Sequence, residues 1–467
     1  MNIFIGRHKE MNALNEWYSS GDFEFIVLYG RRRVGKTALL EEFVKGKNHI
    51  FISARRTKGD ANLRLLREAV SNAFDTDTKD MGLDALLGTI YEQSGERLTL
   101  IIDELPYFAE SDEGLVSALQ VFIDRKAQFS KLFLVLSGSS MGFMKRQILG
   151  SESPLYGRRT KEMFLKPMDY LEAADFLEGR TAFEKACIYG AVGGVPLYLK
   201  KFSGRKDIFE VMAEEFFTDG LTLFSEPEAL IMQELRDPRA YNAVIEAMAS
   251  GKARLSEISD TSGIQGPEAS RLLTDLIDLG YVEKASPFNE KGNRRSLYFL
   301  SDNLFRFRYY IAVNKRNRIA EDTPDRIAKN IKREMPEYMG KIFEDICAQF
   351  IRRIGYPITG RWWGSASKKT MEIDVIGSVA SEGRRIGLLG ECKFTNKEAD
   401  MKTIEDLIES AEQVMGFDVK NYAIFSRSGF TESLELRAEA ENIALVTLDD
   451  LYDPEFVTEM RSKRIGL

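Results

Sequence analysis

The sequence predicts an α/β protein in successive parts: a parallel sheet with a helical lid, a small helical unit closed by a β-hairpin, and a second α/β domain. Three observations predict it. Apolar strand-like runs alternate with helical patterns from Phe23 to Leu136; three amphipathic segments and two short strands follow between Asp237 and Ser301; strands and helices mix again from about Glu334 onward. Alternation of strands with helices is the signature of a parallel sheet covered on both faces.

The 467 residues correspond to about three domains at roughly 150 residues each. Hydrophobic residues make up 44% and charged residues 29%, ordinary for a chain that buries real cores. The net charge of −7 argues against nonspecific coating of nucleic acid and leaves room for a local basic patch. Cys187, Cys347 and Cys392 lie far apart, and His8 and His49 are the two histidines, which excludes a disulfide framework, a zinc site and a His-rich metal site. A catalytic metal is therefore expected on carboxylates, as Mg²⁺ or Mn²⁺. The N-terminal segment lacks a signal-peptide core, and runs such as Leu132–Leu136 are too short to span a bilayer. A cytoplasmic location with no membrane partner is expected.

The first strand is Phe23–Gly30, and Thr37 opens a helical pattern; further strands are expected at Ile50–Ser53, Leu98–Ile102 and Leu132–Leu136. After Pro167 the pattern is helical to about Glu234, in pieces Met168–Glu178, Phe183–Tyr189 and Leu197–Phe202, and reads as a lid. Ala240–Met248, Leu255–Ser262 and Pro267–Leu279 are the next helices, with strands Tyr281–Lys284 and Ser296–Leu300 around a turn, a winged-helix layout. Asn314–Arg333, rich in Arg and Lys with Thr323-Pro324, reads as a charged connector. The last part has strands at Glu372–Ile376, Ile386–Phe394, Asn421–Phe425 and Ala444–Leu448. The expected domains are residues 1–235, 236–313, the connector 314–333, and 334–467.

The loop Gly30-Arg31-Arg32-Arg33-Val34-Gly35-Lys36-Thr37 fits G-x-x-x-x-G-K-[ST] and stands between a strand and a helix, as the motif requires. Gly30 and Gly35 let backbone N–H groups, through Ala38, turn toward phosphates, and the helix N-terminus adds its dipole. Lys36 supplies charge to the β/γ oxygens and Thr37 a hydroxyl ligand to Mg²⁺, so ATP and Mg²⁺ are the expected cofactors of a P-loop NTPase sheet. Leu98–Glu104 ends a buried run in two acids: Asp103 is placed to orient the Mg²⁺ shell and Glu104 to polarise the attacking water. Beyond Leu136, Ser139 or Ser140 is placed to sense the γ-phosphate. Tyr156-Gly157-Arg158-Arg159 offers an arginine, Arg158 first, to the transition-state charge, in cis or from a neighbouring subunit of a homo-oligomer. Gly193-Gly194-Val195-Pro196 starts either a helix over the nucleotide or a plain helix turn.

These motifs, with Phe4-Ile-Gly6-Arg7 ahead of the first strand, resemble the archaeal-type ATPase family of the AAA-like/STAND group of P-loop ATPases. The resemblance covers roughly Met1 to Phe216. It implies ATP hydrolysis and places Gly6 and Arg7 near the adenine; it implies no pathway.

In the winged helix, Glu268–Leu279 is the expected recognition helix and Pro287–Asn293 the wing, with Arg271, Lys291, Arg294 and Arg295 as phosphate contacts. Glu268, Asp275 and Asp278 on the same helix oppose groove binding, so contact with DNA and a protein-packing role stay equally open. Arg306, Arg308, Lys315, Arg316 and Arg318 extend the basic stretch.

Near the C-terminal end, Glu372-Ile-Asp374-Val-Ile376 precedes Gly390-Glu391-Cys392-Lys393. Strand alternation puts Glu391 and Lys393 on one face, where Asp374 meets Glu391 about a divalent ion and Lys393 activates water; Glu344 on an upstream helix is a further acid. The order resembles the PD-(D/E)XK superfamily, a restriction-endonuclease-like fold, and more closely the domain of unknown function that accompanies archaeal-type ATPases. Ile373 departs from the motif's proline, which is no ligand. The resulting expectation is an ATPase that regulates a nuclease-like, DNA-interacting domain. The alternatives are a non-nuclease STAND-type switch that uses this domain only to bind DNA or protein, and a ring-forming remodeller.

Overall fold

The computed structural model describes residues 4–204, 206–235, 237–290, 295–319, 323–366 and 369–463. The chain divides into two compact units. One is Met1–Met168 with Val195–Leu197, and the other is Asp169–Gly194 with Tyr198–Leu467.

Within the first unit, strands β1 (Glu24–Tyr29), β2 (His49–Ser53), β3 (Thr99–Asp103), β4 (Phe133–Gly138) and β5 (Lys161–Phe164) form a sheet in the order β2-β3-β4-β1-β5. Every pairing is parallel. Residues of β1, β3 and β4 are buried throughout, the continuous burial of strands covered on both faces. Because β4 separates β1 from β3, three carboxyl ends meet at one edge: Gly30 beyond β1, Asp103 closing β3 and Ser139 beyond β4. Open α/β sheets bind ligands at that edge.

The second unit begins with helices. Tyr170–Ala174 and Ala182–Val192 each start in a capping box, Asp169 with Glu172 and Thr181 with Glu184, which satisfies the orphan N–H groups of the first turn. These helices, in the segment expected as the lid, pack on the thirty-residue helix Pro324–Arg353. Arg353 pairs Asp169 with both guanidinium nitrogens, at 2.8 and 2.7 Å, and Tyr338 donates to the Gly190 carbonyl at 2.6 Å.

Helices Pro238–Ala249, Leu255–Ser262 and Gly266–Asp278 precede the antiparallel strands β6 (Val282–Ala285) and β7 (Leu297–Leu300). The segment expected as a charged connector is helical where it is described except at Thr323, the extended cap of the second helix, with 320–322 outside the described residues. Asn303–Ile319 and Pro324–Arg353 are its helices. Pro324 marks a helix start, since a proline at the first position loses no intrahelical bond. Ile327, Ala328, Ile331 and Met335 bury one face of the second helix, so its charges cover only the outer side. The expected boundary at 333/334 falls inside this helix.

Strands β8 (Ile358–Ala366), β9 (Lys369–Ser381), β10 (Arg384–Lys393), β11 (Val419–Ser426) and β12 (Ala444–Thr447) form the last sheet, in the order β12-β11-β10-β9-β8. β8, β9 and β10 pair antiparallel; β10, β11 and β12 pair parallel. Ile424 joins the core beneath helices Met401–Glu412 and Glu432–Glu441. Its neighbour Phe425 meets Phe350 of Pro324–Arg353 edge-on at 6.0 Å, so each face of the sheet carries helices. Among the described residues, no helix is long and apolar enough to cross a membrane.

Candidate active site

The phosphate loop owes its shape to backbone strain and close approach. Arg33 and Gly35 take left-handed φ of 67° and 97°, a conformation that turns successive N–H groups toward one point. A Cβ on Gly30 would stand 2.3 Å from the Leu165 carbonyl oxygen beyond β5, so this position admits no side chain. Gly35 caps the helix Lys36–Phe43, and a Cβ there would lie 3.8 Å from Pro196 Cγ. Pro196 itself opens the short helix Pro196–Leu199. Behind the loop, Arg7 is buried and donates to the Val34 carbonyl at 2.8 Å while pairing Glu10 at 3.1 Å. Arg7, with left-handed φ of 61°, thus props the loop from beneath. Gly6, also left-handed, lies against Met168.

Lys36 is buried and donates to the carbonyls of Gly30 and Arg31, at 2.9 and 3.0 Å. The Thr37 hydroxyl donates to Asp103 Oδ2 at 2.6 Å. Asp103 is fully buried, and its Oδ1 has no hydrogen-bond partner among the described residues. A buried carboxylate oxygen without a donor needs a cation or water. Thr37 and Asp103 therefore fit a hydrated Mg²⁺, a hard cation that keeps part of its water shell. Glu104, with left-handed φ of 52°, accepts from Ser139 N and Oγ at 3.2 and 2.7 Å. Arg32 donates to the Tyr107 hydroxyl and stands 5.8 Å from that ring's centroid.

Arg158 makes a two-pronged pair with Asp124, at 2.7 and 2.8 Å, and also binds the Pro154 carbonyl. Arg159 pairs Glu162 at 3.0 Å. Asp124 lies on the helix Leu115–Arg125, which gave no signal for this partnership in the sequence.

The second cluster lies in the C-terminal sheet. Glu344 is on Pro324–Arg353, Asp374 on β9, and Glu391 and Lys393 on β10. Lys393 Nζ pairs Glu391 at 2.6 Å, and Cys392 N–H donates to Asp374 Oδ2 at 2.9 Å. Glu344 pairs Lys341 at 2.8 Å and stands 3.8 Å from Arg361. Burial, followed by the nearby Asp374 charge, pushes the Glu344 and Glu391 carboxyls up to about 7; burial also raises Asp374. Among the described residues no group of three or more His, Cys, Asp or Glu is arranged to hold a metal ion. Asp374 Oδ2 is engaged by backbone and Glu391 by lysine, so the expected metal pair of Asp374 and Glu391 is not set up as a cage.

Lys341 and Arg361 were not foreseen. Lys341 lies one turn before Glu344, a spacing legible in a helix. Arg361 lies on β8, a strand without a clear sequence pattern.

The expected nucleic-acid contacts are largely committed elsewhere. Phe288 stacks on Phe417 at 5.7 Å, and its N–H donates to the Arg361 carbonyl at 2.9 Å. Asn289 donates to the Met415 carbonyl at 2.8 Å and accepts from Arg385 at 2.7 Å. The start of the wing is thus seated on the C-terminal sheet domain. Arg271 pairs Asp275 at 3.1 Å, and Arg295 pairs Glu290. Lys291 and Arg294 lie outside the described residues. Arg306 is paired with Asp345, and Arg308 stands over Phe217 and Phe224. These two arginines are packing groups rather than a solvated basic face; the side chains of Lys315, Arg316 and Arg318 lie outside the described residues.

Comparison with known proteins agrees with the loop and sheet. Residues 4–202 match a family described as an ATPase domain predominantly from Archaea, and residues 243–286 match an IclR helix-turn-helix domain. Loop, sheet and matches together are those of a chain whose first part is similar to archaeal-type ATPase domains and whose middle part is similar to a helix-turn-helix. Residues 307–404, which include Glu344, Asp374, Glu391 and Lys393, match archaeal and bacterial proteins of unknown function. An uncharacterized protein of Methanocaldococcus jannaschii is 28% identical over 438 residues, 91% of this chain and 96% of the relative. An uncharacterized ATP-binding protein of the same organism is 40% identical over 45 residues, 10% of this chain and 76% of the relative. Among solved structures, the Walker-type ATPase of Pyrococcus abyssi shares the fold with a TM-score of 0.51 at 23% identity, covering 66% of this chain and 96% of that one.

Proposed function

We propose that the chain is a Mg²⁺-dependent ATP hydrolase working as a switch, whose C-terminal part engages DNA or protein rather than acting first as a nuclease. The observation that carries the hydrolysis reading is the Thr37–Asp103 hydrogen bond at 2.6 Å beside an unpartnered Asp103 oxygen. Thr37 and Asp103 would hold the metal, which supplies Lewis-acid neutralisation of the phosphate oxygens. Lys36 exchanges its bonds to the loop carbonyls for β/γ oxygens, and the loop N–H groups bind the phosphates. Glu104 orients water in line with the γ-phosphorus and draws its proton, its carboxylate placed by Ser139. Arg158 reaches the γ-phosphate only after leaving Asp124, a release suited to a neighbouring subunit or a partner. The test is ATP turnover with magnesium in wild type and Lys36→Ala; turnover that survives in the variant sinks this reading.

A second reading, an ATP-regulated nuclease, is favoured by the gathering of Asp374, Glu391 and Lys393 on the adjoining interior strands β9 and β10, with Glu344 on the helix against them. It predicts divalent-metal-dependent nicking of plasmid that Lys393→Ala abolishes while ATP turnover persists. Absence of cleavage under every nucleotide and metal condition leaves the switch.

A further inference from the structure

Between the β6 edge of the wing, β8 and the helix Pro324–Arg353, all within the second unit, lies a cavity of about 450 Å³. That is within the range of small-molecule sites, roughly 300–1,000 Å³. We propose that it binds one 5′-phosphorylated nucleotide unit, either a free mononucleotide or the terminal unit of a single strand.

The cavity is bipolar. Arg306 and Arg361, which line it, are committed to Asp345. Lys284 on β6 and Arg352 on the helix also line it and are exposed. Lys284 lies 5.7 Å from the Tyr298 ring centroid, Arg352 donates to the Thr359 hydroxyl, Glu283 lines the same cavity, and neither cation makes an ion pair among the described residues. They offer charge to an anion. Glu344 and Asp374 line it too. Glu344 and Arg352 are eight residues apart on one helix, hence about 12 Å along its axis at 1.5 Å per residue. That interval suits a ligand with an anionic phosphate at one end and hydrogen-bond donors, the sugar hydroxyl and base N–H groups, at the other. Ala348 and Gln349 line the stretch between. Glu344 keeps Lys341 at 2.8 Å and Asp374 Oδ2 keeps the Cys392 N–H at 2.9 Å, so the acidic end uses its remaining acceptor capacity on sugar and base donors, while an uncharged nucleoside would bring no anion to Lys284 and Arg352.

The site is separate from the phosphate loop; it shares Glu344 and Asp374 with the cluster of the second reading, but the binding proposed here needs no cleavage there. The test is calorimetry on the full chain carrying Lys36→Ala, titrated with dTMP, thymidine, and oligothymidylate with or without a 5′-phosphate. Binding of dTMP or of the 5′-phosphorylated oligomer is expected, with the matching unphosphorylated ligand roughly tenfold weaker or worse, since charge-assisted hydrogen bonds contribute about 1.5–3 kcal/mol. Preference for dTMP identifies the free nucleotide as ligand, and preference for the oligomer identifies a strand end. Adding Lys284→Ala with Arg352→Gln, both on exposed positions, is expected to remove that phosphate preference. If no phosphorylated ligand binds, if phosphate gives no advantage, or if the added substitutions leave the preference intact, the proposal is overturned. Loss of ATP turnover or of DNA cleavage would bear on the other readings and not on this one.

Discussion

Glu104 Oε2 accepts two hydrogen bonds from Ser139, from its N–H at 3.2 Å and its hydroxyl at 2.7 Å, so the acid beyond β3 is tied to the residue beyond β4. Strand order makes this possible: β4 lies between β1 and β3, so a polar group ending β4 stands beside both the phosphate loop and the acidic pair. Ser139→Ala removes one of the two bonds. It is expected to lower ATP turnover about tenfold with little change in ATP affinity, because the group it positions acts in the transition state. Parallel measurement of kcat and nucleotide affinity checks this; an equal loss in both would assign Ser139 to ground-state binding.

Gly30→Ala is expected to abolish nucleotide binding and to cost about 2 kcal/mol or more. The added methyl meets the Leu165 carbonyl oxygen at 2.3 Å, and backbone on a packed strand end cannot withdraw cheaply. Thermal unfolding and ATP titration of the variant test it, with an unchanged melting temperature as the contrary result.

Asp345 sits between Arg306 and Arg361. Its burial alone would raise the carboxyl, yet the two guanidinium groups hold it below the usual carboxylate range. Asp345→Ala leaves the half-buried Arg306 without its carboxylate and Arg361 with only Glu283 and Glu344 at 3.7 and 3.8 Å, and is expected to cost about 3 kcal/mol. Removing charge from both sides, as Asp345→Leu with Arg306→Met, is expected to recover a large part of that loss. Denaturant unfolding of single and double variants separates pairing from packing.

The Glu344 and Glu391 carboxyls are raised to about 7 by burial and then by Asp374. Their folded values exceed the unfolded ones, so the folded state binds more protons from the ordinary carboxylate range up to about pH 7. Stability of the metal-free protein therefore falls as pH rises through that window and levels off above it. Glu344→Gln is expected to be more stable than wild type by about 1–2 kcal/mol near pH 8, an advantage that shrinks toward about pH 5. Melting curves across this range test the sign, and a stability difference independent of pH would refute it.

Much of the first unit was legible because its chemistry is local. Gly30–Thr37 specifies its own backbone, and uninterrupted apolar runs such as Leu132–Leu136 announce buried parallel strands. Strand order was not legible, and with it went the Glu104–Ser139 contact. The connector was misread because Lys and Arg dominate 314–333 while Ile327 and Ile331 mark the buried face at helical spacing. For the wing, DNA contact and protein packing were equally open, because whether Phe288 stacks on a base or on Phe417 depends on a residue 129 positions away. Arg361 carries no motif; its role appears only when β8 brings it beside Glu344 and Asp345. Composition could not distinguish Arg306 as a buried partner of Asp345 from a solvated basic residue.

The most direct test is ATP turnover under saturating ATP and magnesium in wild type and Glu104→Gln, with nucleotide binding measured on the same samples. Intact binding with turnover reduced about 100-fold or more is expected when a water-orienting carboxylate becomes an amide. Equal turnover in the two proteins, or wild-type turnover no faster than that of Lys36→Ala, would contradict hydrolysis at the Lys36, Thr37, Asp103 and Glu104 site.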